Sequence, residues 1–314
     1  MRACKATPRA DLHAQITESI LSAIEDNSGE WRMPWRQEAL HLPHNALTKN
    51  TYNGINILSL WAQATKRGFP LSLWASYKQW QDLGAQVRGG EKSSQVVFYK
   101  SIEVDPDAED SSDDGKRLIA KSFAVFNVAQ VDDYAPPPEP DPLPPIKRMA
   151  AVDLFIEATQ ARMIEAGDRA YYDRKNDHIV IPDAHRFTGT ATMDRREAFY
   201  SVKLHELSHW TGHETRLNRT FGKRFGDQAY AAEELVAELA TAFLSVELGI
   251  SQATPPDHAH YLGQWLQLLK TDNRAIFTAA AKASEAVAYL KSLQGPAPQR
   301  PPLRTTLGND LPHN

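Results

Sequence analysis

Apolar residues recur at helical spacing across residues 10–27, at Leu12, Ile16, Ile20, Leu21 and Ile24, which predicts an amphipathic helix. Residues 54–67 and 72–83 predict two more. QVVFYKSIEV (95–104) and RLIAKSFAVFNVAQV (117–131) are rich in β-branched and aromatic residues and predict the arms of a hairpin. The acidic DPDAEDSSDDGK (105–116) between them has no large apolar side chain and is expected to be a solvated, mobile tip.

The pattern changes at DYAPPPEPDPLPPIKR (133–148). Seven prolines within residues 136–145 exclude helix and central strand and predict a stiff, extended linker. Beyond it the pattern predicts helices over 150–166, 194–211, 230–249, 258–270 and 272–293, with one short strand, HIVIP, at 178–182. GPAPQRPPLRTTLGNDLPHN (295–314) is expected to be a disordered tail. The expected fold class is α+β: an α+β domain with a small antiparallel sheet at 8–132, the linker, and a mostly helical domain with a short sheet at 149–294.

Composition narrows the function classes. With 42% hydrophobic and 24% charged residues, the 314-residue chain has the make-up of a folded protein. A net charge of −4 gives no global basic field, so a nucleic-acid partner would need a local patch. The single cysteine, Cys4, excludes an internal disulfide and a cysteine-based zinc cluster. No apolar run reaches the ~20 residues of a membrane span, and Asp11, Glu18, Glu25 and Asp26 break up the first apolar stretch. A cytoplasmic protein is expected, with no membrane partner.

His205-Glu206-Leu207-Ser208-His209 is an HExxH sequence inside a predicted helix. Side chains at i and i+4 leave one face, so two imidazoles can hold one Zn²⁺ while Glu206 sits beside the open coordination position as the catalytic base. Gly212 follows as a helix stop. The HExxHxxGxxH variant would take a third histidine at position 215, but that residue is Thr215, and His213 falls two residues short. The third ligand is therefore sought on AAEELVAELATAFLSVEL (231–248), where Glu234 and Glu238 share a face. Glu234 is assigned to the metal. Glu238 is assigned behind it, holding a ligand histidine by its outer nitrogen. Glu233 takes the ligand role if the helix phase differs by one residue. Zinc is the expected ion, with Mn or Co as alternatives. HIVIP is expected to be an edge strand that an extended peptide could join. His213, Tyr171, Tyr200 and Tyr230 are candidates for polarising a substrate carbonyl.

Five of the seven tryptophans fall within residues 31–80, interleaved with lysine and arginine. Residues 1–100 hold twelve Lys and Arg against eight Asp and Glu. Rings on which bases stack, beside cations that follow phosphates, suit single-stranded DNA. Trp31, Trp35, Lys49, Tyr52, Asn53 and Arg88 are the candidate contacts.

The segments WRMPW (31–35), NALTKNTYNGINILSLW (45–61), GAQVRGGEKSSQVVFYK (84–100) and FNVAQVD (126–132) resemble the N-terminal domain of the ArdC antirestriction family. DHIVIPDAHRF, YSVKLHELSHWTGHETRLNR and AAEELVAELATAFL resemble its zincin-like metallopeptidase domain. The resemblance spans about residues 10–290. It implies an N-terminal domain that binds single-stranded DNA, and a metal domain using His205, His209 and a glutamate of the EELVAE stretch, with Glu206 as the catalytic-type glutamate. It also implies a protein of plasmids and other mobile elements that shields conjugated DNA from restriction and travels with it, with a restriction enzyme or other protein as a further partner. Two alternatives are an intracellular metallopeptidase with no DNA role and a non-enzymatic DNA-binding protein with a structural metal.

Overall fold

The structure is a computed structural model that describes residues 12–25, 41–103, 116–138, 144–189, 194–221, 228–250 and 258–295. The expected acidic hairpin tip and C-terminal tail lie almost wholly outside these residues.

The first helix, α1 (Leu12–Glu25), turns Ile16, Thr17 and Ile20 inward. After the short strand β1 (His44–Asn45), α2 (Ile55–Arg67) is buried along nearly its whole length, because it lies between a sheet and helices of the C-terminal half. Asn56 on α2 acts as a surrogate strand residue. Its amide donates to the Val97 carbonyl at 2.8 Å, and its oxygen accepts from the Val97 N–H at 2.7 Å.

The helix expected over 72–83 is instead two elements. Leu73–Ala75 form strand β2, and only Tyr77–Asp82 form helix α3. All three β2 residues are buried and pair with β1 on one side and with a later strand, at Phe126 and Asn127, on the other, so tertiary pairing overrides a helical rhythm. Ser76 then starts α3 with a capping box to Gln79. Strand β3 (Gln86–Val87) pairs with β6 (Val131–Asp132). The hairpin of β4 (Ser94–Glu103) and β5 (Lys116–Asn127) runs in register from Ser94 opposite Val125 to Glu103 opposite Lys116. The main sheet has the order β1-β2-β5-β4. It is antiparallel as expected, except where β1 joins β2 in parallel.

Helix α4 (Pro145–Ala158) begins inside the Pro-rich stretch, with proline in its first turn, where a missing N–H costs nothing. It ends eight residues before the expected boundary: Gln160 has a left-handed φ of 56°, and Met163–Glu165 form β7. With β8 (Tyr171–Asp173) and β9 (His178–Ile181) this makes a sheet of order β7-β9-β8. The expected edge strand, β9, is therefore the middle strand, paired on both sides. The edges among the described residues are β7 and β8, each too short for a legible alternation. Helices α5 (Arg195–Trp210), α6 (Ala229–Leu248), α7 (His258–Thr271) and α8 (Ala275–Ser292) complete the C-terminal half.

One large hydrophobic cluster takes Ile16, Ile20, Leu58, Trp61 and Val97 from before the Pro-rich stretch, and Leu207, Phe243, Trp265 and Ile276 from after it. Trp61 meets Phe243 edge-on at 5.7 Å and donates its indole N–H to the His41 carbonyl at 2.9 Å. Polar bonds cross the same seam: Thr17 donates to the Asn273 carbonyl at 2.7 Å, and the Gly54 N–H to Ser284 Oγ at 2.8 Å. Gly54 enters α2 at a φ of 56°, a conformation that favours glycine, with the α8 backbone of Ala281 3.9 Å from where a Cβ would stand. Two smaller clusters, around Trp80 and around Trp74, belong to the N-terminal half alone.

Candidate metal centre

Helix α5 starts at a capping box in which Asp194 accepts from the N–H groups of Arg196 and Glu197, and ends after Trp210. Its inner face packs on α6, β8 and β9. His205 and His209 leave the same side, one turn apart, with their Nε2 atoms 3.2 Å from each other. Glu234 arrives from α6, placing Oε2 3.4 Å from His205 Nε2 and Oε1 3.6 Å from His209 Nε2. One ligand atom from each of the three residues lies within 4.8 Å of the others.

These separations fit a divalent ion. Ligand atoms ~2.05 Å from a tetrahedral zinc stand about 3.3 Å apart; the two imidazole nitrogens are 3.2 Å apart, and each has one of the two Glu234 oxygens at 3.4 or 3.6 Å. The donor set, two imidazole nitrogens and a carboxylate, is that of a three-ligand site with an open position. Glu206 lies beside it on α5, 7% exposed. His213 stays out of the group, hydrogen-bonded instead to Thr215 at 2.8 Å.

Behind these three side chains stands an ion pair that sequence reasoning did not assign. His209 Nδ1 donates to Glu233 Oε1 at 3.1 Å, which leaves Nε2 as the ligand atom. Glu233, the alternative ligand in the sequence reading, here holds His209 by its outer nitrogen, because the rotation of α6 against α5 decides which carboxylate reaches that nitrogen. Glu238 is buried one turn beyond Glu234. Arg219 locks Glu233 in turn, donating from Nε at 2.8 Å and Nη2 at 2.5 Å. It also donates to Thr211 Oγ1 and the Ser208 carbonyl. The one signal for Arg219 in the sequence was the doublet Glu233-Glu234, since two buried acids require a cation.

Burial disfavours charge on His209, Glu233 and Glu234, and their neighbours outweigh it. Glu233 and Glu234 push the His209 imidazole up to about 10. The two histidines hold the Glu234 carboxyl far below the usual range, and Arg219 with His209 holds Glu233 down. An imidazole binds a metal only through a nitrogen free of its proton, so a divalent cation at this centre would compete with protons.

Gly212 follows the end of α5 as expected, and it has a second task. A Cβ there would stand 2.9 Å from Arg219 Nη2 and 3.0 Å from its Cζ, so glycine is what lets the guanidinium reach Glu233. We expect Gly212→Ala to lower stability by about 1–3 kcal/mol and to weaken metal binding, measured by thermal melting and metal titration. An unchanged melt and affinity would show that Arg219 can move aside.

Arg216 braces the same loop. It lies over the Trp210 ring at 3.8 Å and grips Asp177 of the β8–β9 turn with two nitrogens, at 2.9 and 2.5 Å. This pairing holds the Asp177 carboxyl down at about 2 against an ordinary 3.8. A depressed carboxylate stabilises the fold above its ordinary value, and that contribution fades as pH falls from about 4 to about 2. The melting temperatures of the wild type and Asp177→Asn should converge over that interval; a constant gap would show that the pair does not set it.

The other candidates separate clearly. Tyr200 donates to Asp153 at 2.8 Å and is held there. Tyr171 is exposed on β8, and Tyr230 is exposed one turn before Glu234. Among the proposed DNA contacts, Trp31 and Trp35 lie outside the described residues. Tyr52 is buried, with its hydroxyl accepting from Asn45. Arg88 is committed to Glu91, Asp132 and the Ala129 and Val131 carbonyls. Lys49 and Asn53 are exposed on a turn. Trp61, Trp74 and Trp80 are fully buried, so most of the tryptophan signal reports core rather than a stacking surface.

A family model described as a zincin-like metallopeptidase matches residues 150–282, and one described as the N-terminal domain of anti-restriction factor ArdC matches residues 10–126. Crystal structures of the antirestriction ArdC protein from the R388 plasmid, one metal-free and one Mn(II)-bound, superpose with a TM-score of 0.71 each. They are 33% and 32% identical to this chain, and the match covers 90% of it and 97% and 98% of theirs. The y4eC protein of Sinorhizobium fredii is 39% identical over 294 residues, covering 91% of this chain and 94% of that protein. DNA primase TraC of Escherichia coli is 33% identical over 304 residues, but this stretch is only 20% of the primase.

Proposed function

Because the chain belongs to the ArdC antirestriction family, with its N-terminal domain followed by a zincin-like domain, we propose that it protects DNA entering a cell from restriction. It does so in the cytoplasm on behalf of a plasmid or similar mobile element. Residues 8–132 bind the DNA as a single strand, and residues 149–294 carry a metal-dependent peptidase centre. The observation that carries the second half is the convergence of His205, His209 and Glu234 beside Glu206. None of the helices among the described residues is long and apolar enough to cross a membrane.

His205, His209 and Glu234 are the ligands, and the imidazole donors favour zinc over manganese or cobalt as the working ion. A divalent ion held by these three side chains would supply Lewis acidity at the open position beside Glu206. Glu206 takes the proton of the attacking water and returns it to the leaving amine. Glu233 keeps Nε2 of His209 turned to the ligand position, with Arg219 fixing Glu233 and Glu238 as a further buried support. An extended peptide can pair with the open edge of β8, which packs on α5. A group that polarises its carbonyl would come from Tyr230, exposed one turn before Glu234, or from Tyr171, exposed on β8. The R388 protein with Mn(II) bound supports a divalent cation in this fold.

The test of the DNA half is fluorescence anisotropy of the full-length chain with a labelled oligonucleotide. Binding should favour the single strand over duplex and weaken steeply between 50 and 200 mM salt, as phosphate contacts require. Equal affinity for duplex, or no binding at low salt, would remove single-stranded DNA as the partner.

A further inference from the structure

The β4–β5 hairpin carries an apolar face where an exposed sheet would ordinarily be polar. Strand alternation puts Val96, Phe98 and Lys100 on one face, opposite Phe123, Lys121 and Ile119 respectively. Val97, on the other face, is bonded to Asn56 of α2. Phe98 and Phe123 are 50% and 48% exposed and stand edge-to-face at 5.5 Å. Ile119 is exposed beyond them, with Lys100 and Lys121 alongside.

Below the two rings the face opens into a cavity of about 470 Å³. Its floor is Val96, Val125 and the buried Tyr52, and its far wall is the turn at residues 45–53. That wall is held rigid from within. Asn45 donates to Gln79 and accepts from the N–H groups of Leu47 and Thr48. On the rim, Asn50, Thr51 and Asn53 are exposed and line the cavity with polar side chains. Lys49 stands on the same turn, and no carboxylate lines the cavity.

We infer that this cavity is a nucleobase pocket of a single-stranded DNA path that runs along the outer face of the β4–β5 hairpin. Phe98 and Phe123 stack the base, Asn50, Thr51 and Asn53 hydrogen-bond its edge, and Lys49, Lys121 and Lys100 follow the phosphates. The inference rests on the single-strand reading above and gives it a location. The cavity is within the ~300–1,000 Å³ of small-ligand sites. Rings with amides on one wall and cations at the mouth complement a planar, polar-edged, anionic ligand, whereas an apolar peptide segment would leave the amides and lysines without partners. A duplex keeps its bases stacked and cannot offer one without unpairing it, so the pocket also accounts for selectivity between strand forms.

The test uses the full chain and a labelled thymidine oligonucleotide carrying one 5-iododeoxyuridine. Phe98→Ala and Phe123→Ala should each weaken binding by roughly five- to a hundredfold, the range of one stacked base. Phe98→Trp should retain the affinity, and Lys121→Glu should lower it and flatten its salt dependence. Irradiation should crosslink the iodinated base to peptides containing Phe98 or Phe123. Both rings are half exposed, so melting temperatures should stay near that of the wild type. If the wild type binds the single strand but Phe98→Ala, Phe123→Ala and Lys121→Glu bind equally well, or the crosslink maps elsewhere, this pocket is overturned and the single-strand reading stands. If the wild type does not bind the single strand, both are overturned.

Discussion

Glu206→Gln is expected to lower any peptide hydrolysis by at least about a hundredfold, and up to ten-thousandfold, the range that a positioned acid–base group contributes. Metal affinity should stay within about threefold of the wild type, because the amide is nearly isosteric and Glu206 is not among the three converging ligands. The measurement is cleavage of denatured casein and self-cleavage over hours, beside a metal titration and a thermal melt. His209→Ala provides the contrast. It removes a proposed ligand and takes from the half-buried Glu233 one of its two partners, leaving Arg219, so both metal binding and stability should fall. If Glu206→Gln cleaves as fast as the wild type, the proton is moved by another group. If neither protein cleaves while both bind metal and antirestriction persists in cells, the centre is structural.

Trp61→Ala is expected to destabilise the fold by about 3–5 kcal/mol, the cost of emptying a fully buried aromatic site. A stable domain holds only about 5–15 kcal/mol in total, so this one change should bring the chain close to unfolding. The loss should also cross the Pro-rich stretch, since Trp61 packs on Phe243 of α6. Hydrogen exchange should show residues 229–248 losing protection together with residues 55–67. Trp74→Ala is the control, because Trp74 belongs to a small cluster of the N-terminal half. It should loosen the hairpin and leave α6 protected. An α6 that stays fully protected in Trp61→Ala would mean that the halves do not unfold together.

What could be read from the letters was local. HExxH is legible because i and i+4 on one helix share a face whatever surrounds them. The hairpin is legible because two long runs of β-branched and aromatic residues flank an acidic turn, a composition that marks strands whatever surrounds them. Leu73–Ala75 failed that reading because three residues carry no period, and strand pairing with Asn127 and Phe126 settled them. β7 and β8 failed for the same reason. The tryptophans misled because composition does not separate a ring that faces solvent from one that fills a core. The glutamates lie between the two cases. Helix phase narrowed the choice to Glu233, Glu234 and Glu238, but the contact with His209 depends on how two helices are rotated against each other. Arg219 and Gly212 are legible only together, since one fixes how closely the other's backbone may be approached.

The seam at Trp61 and Phe243 also constrains how such a chain can change over generations. A recombination event joining the first half of one relative to the second half of another would inherit mismatched pieces of one interior, however well each half matched its own family model. An indole at 61, a ring at 243 and a residue without a side chain at 54 form a set. A lineage can replace them in step, but it cannot trade them as separate modules.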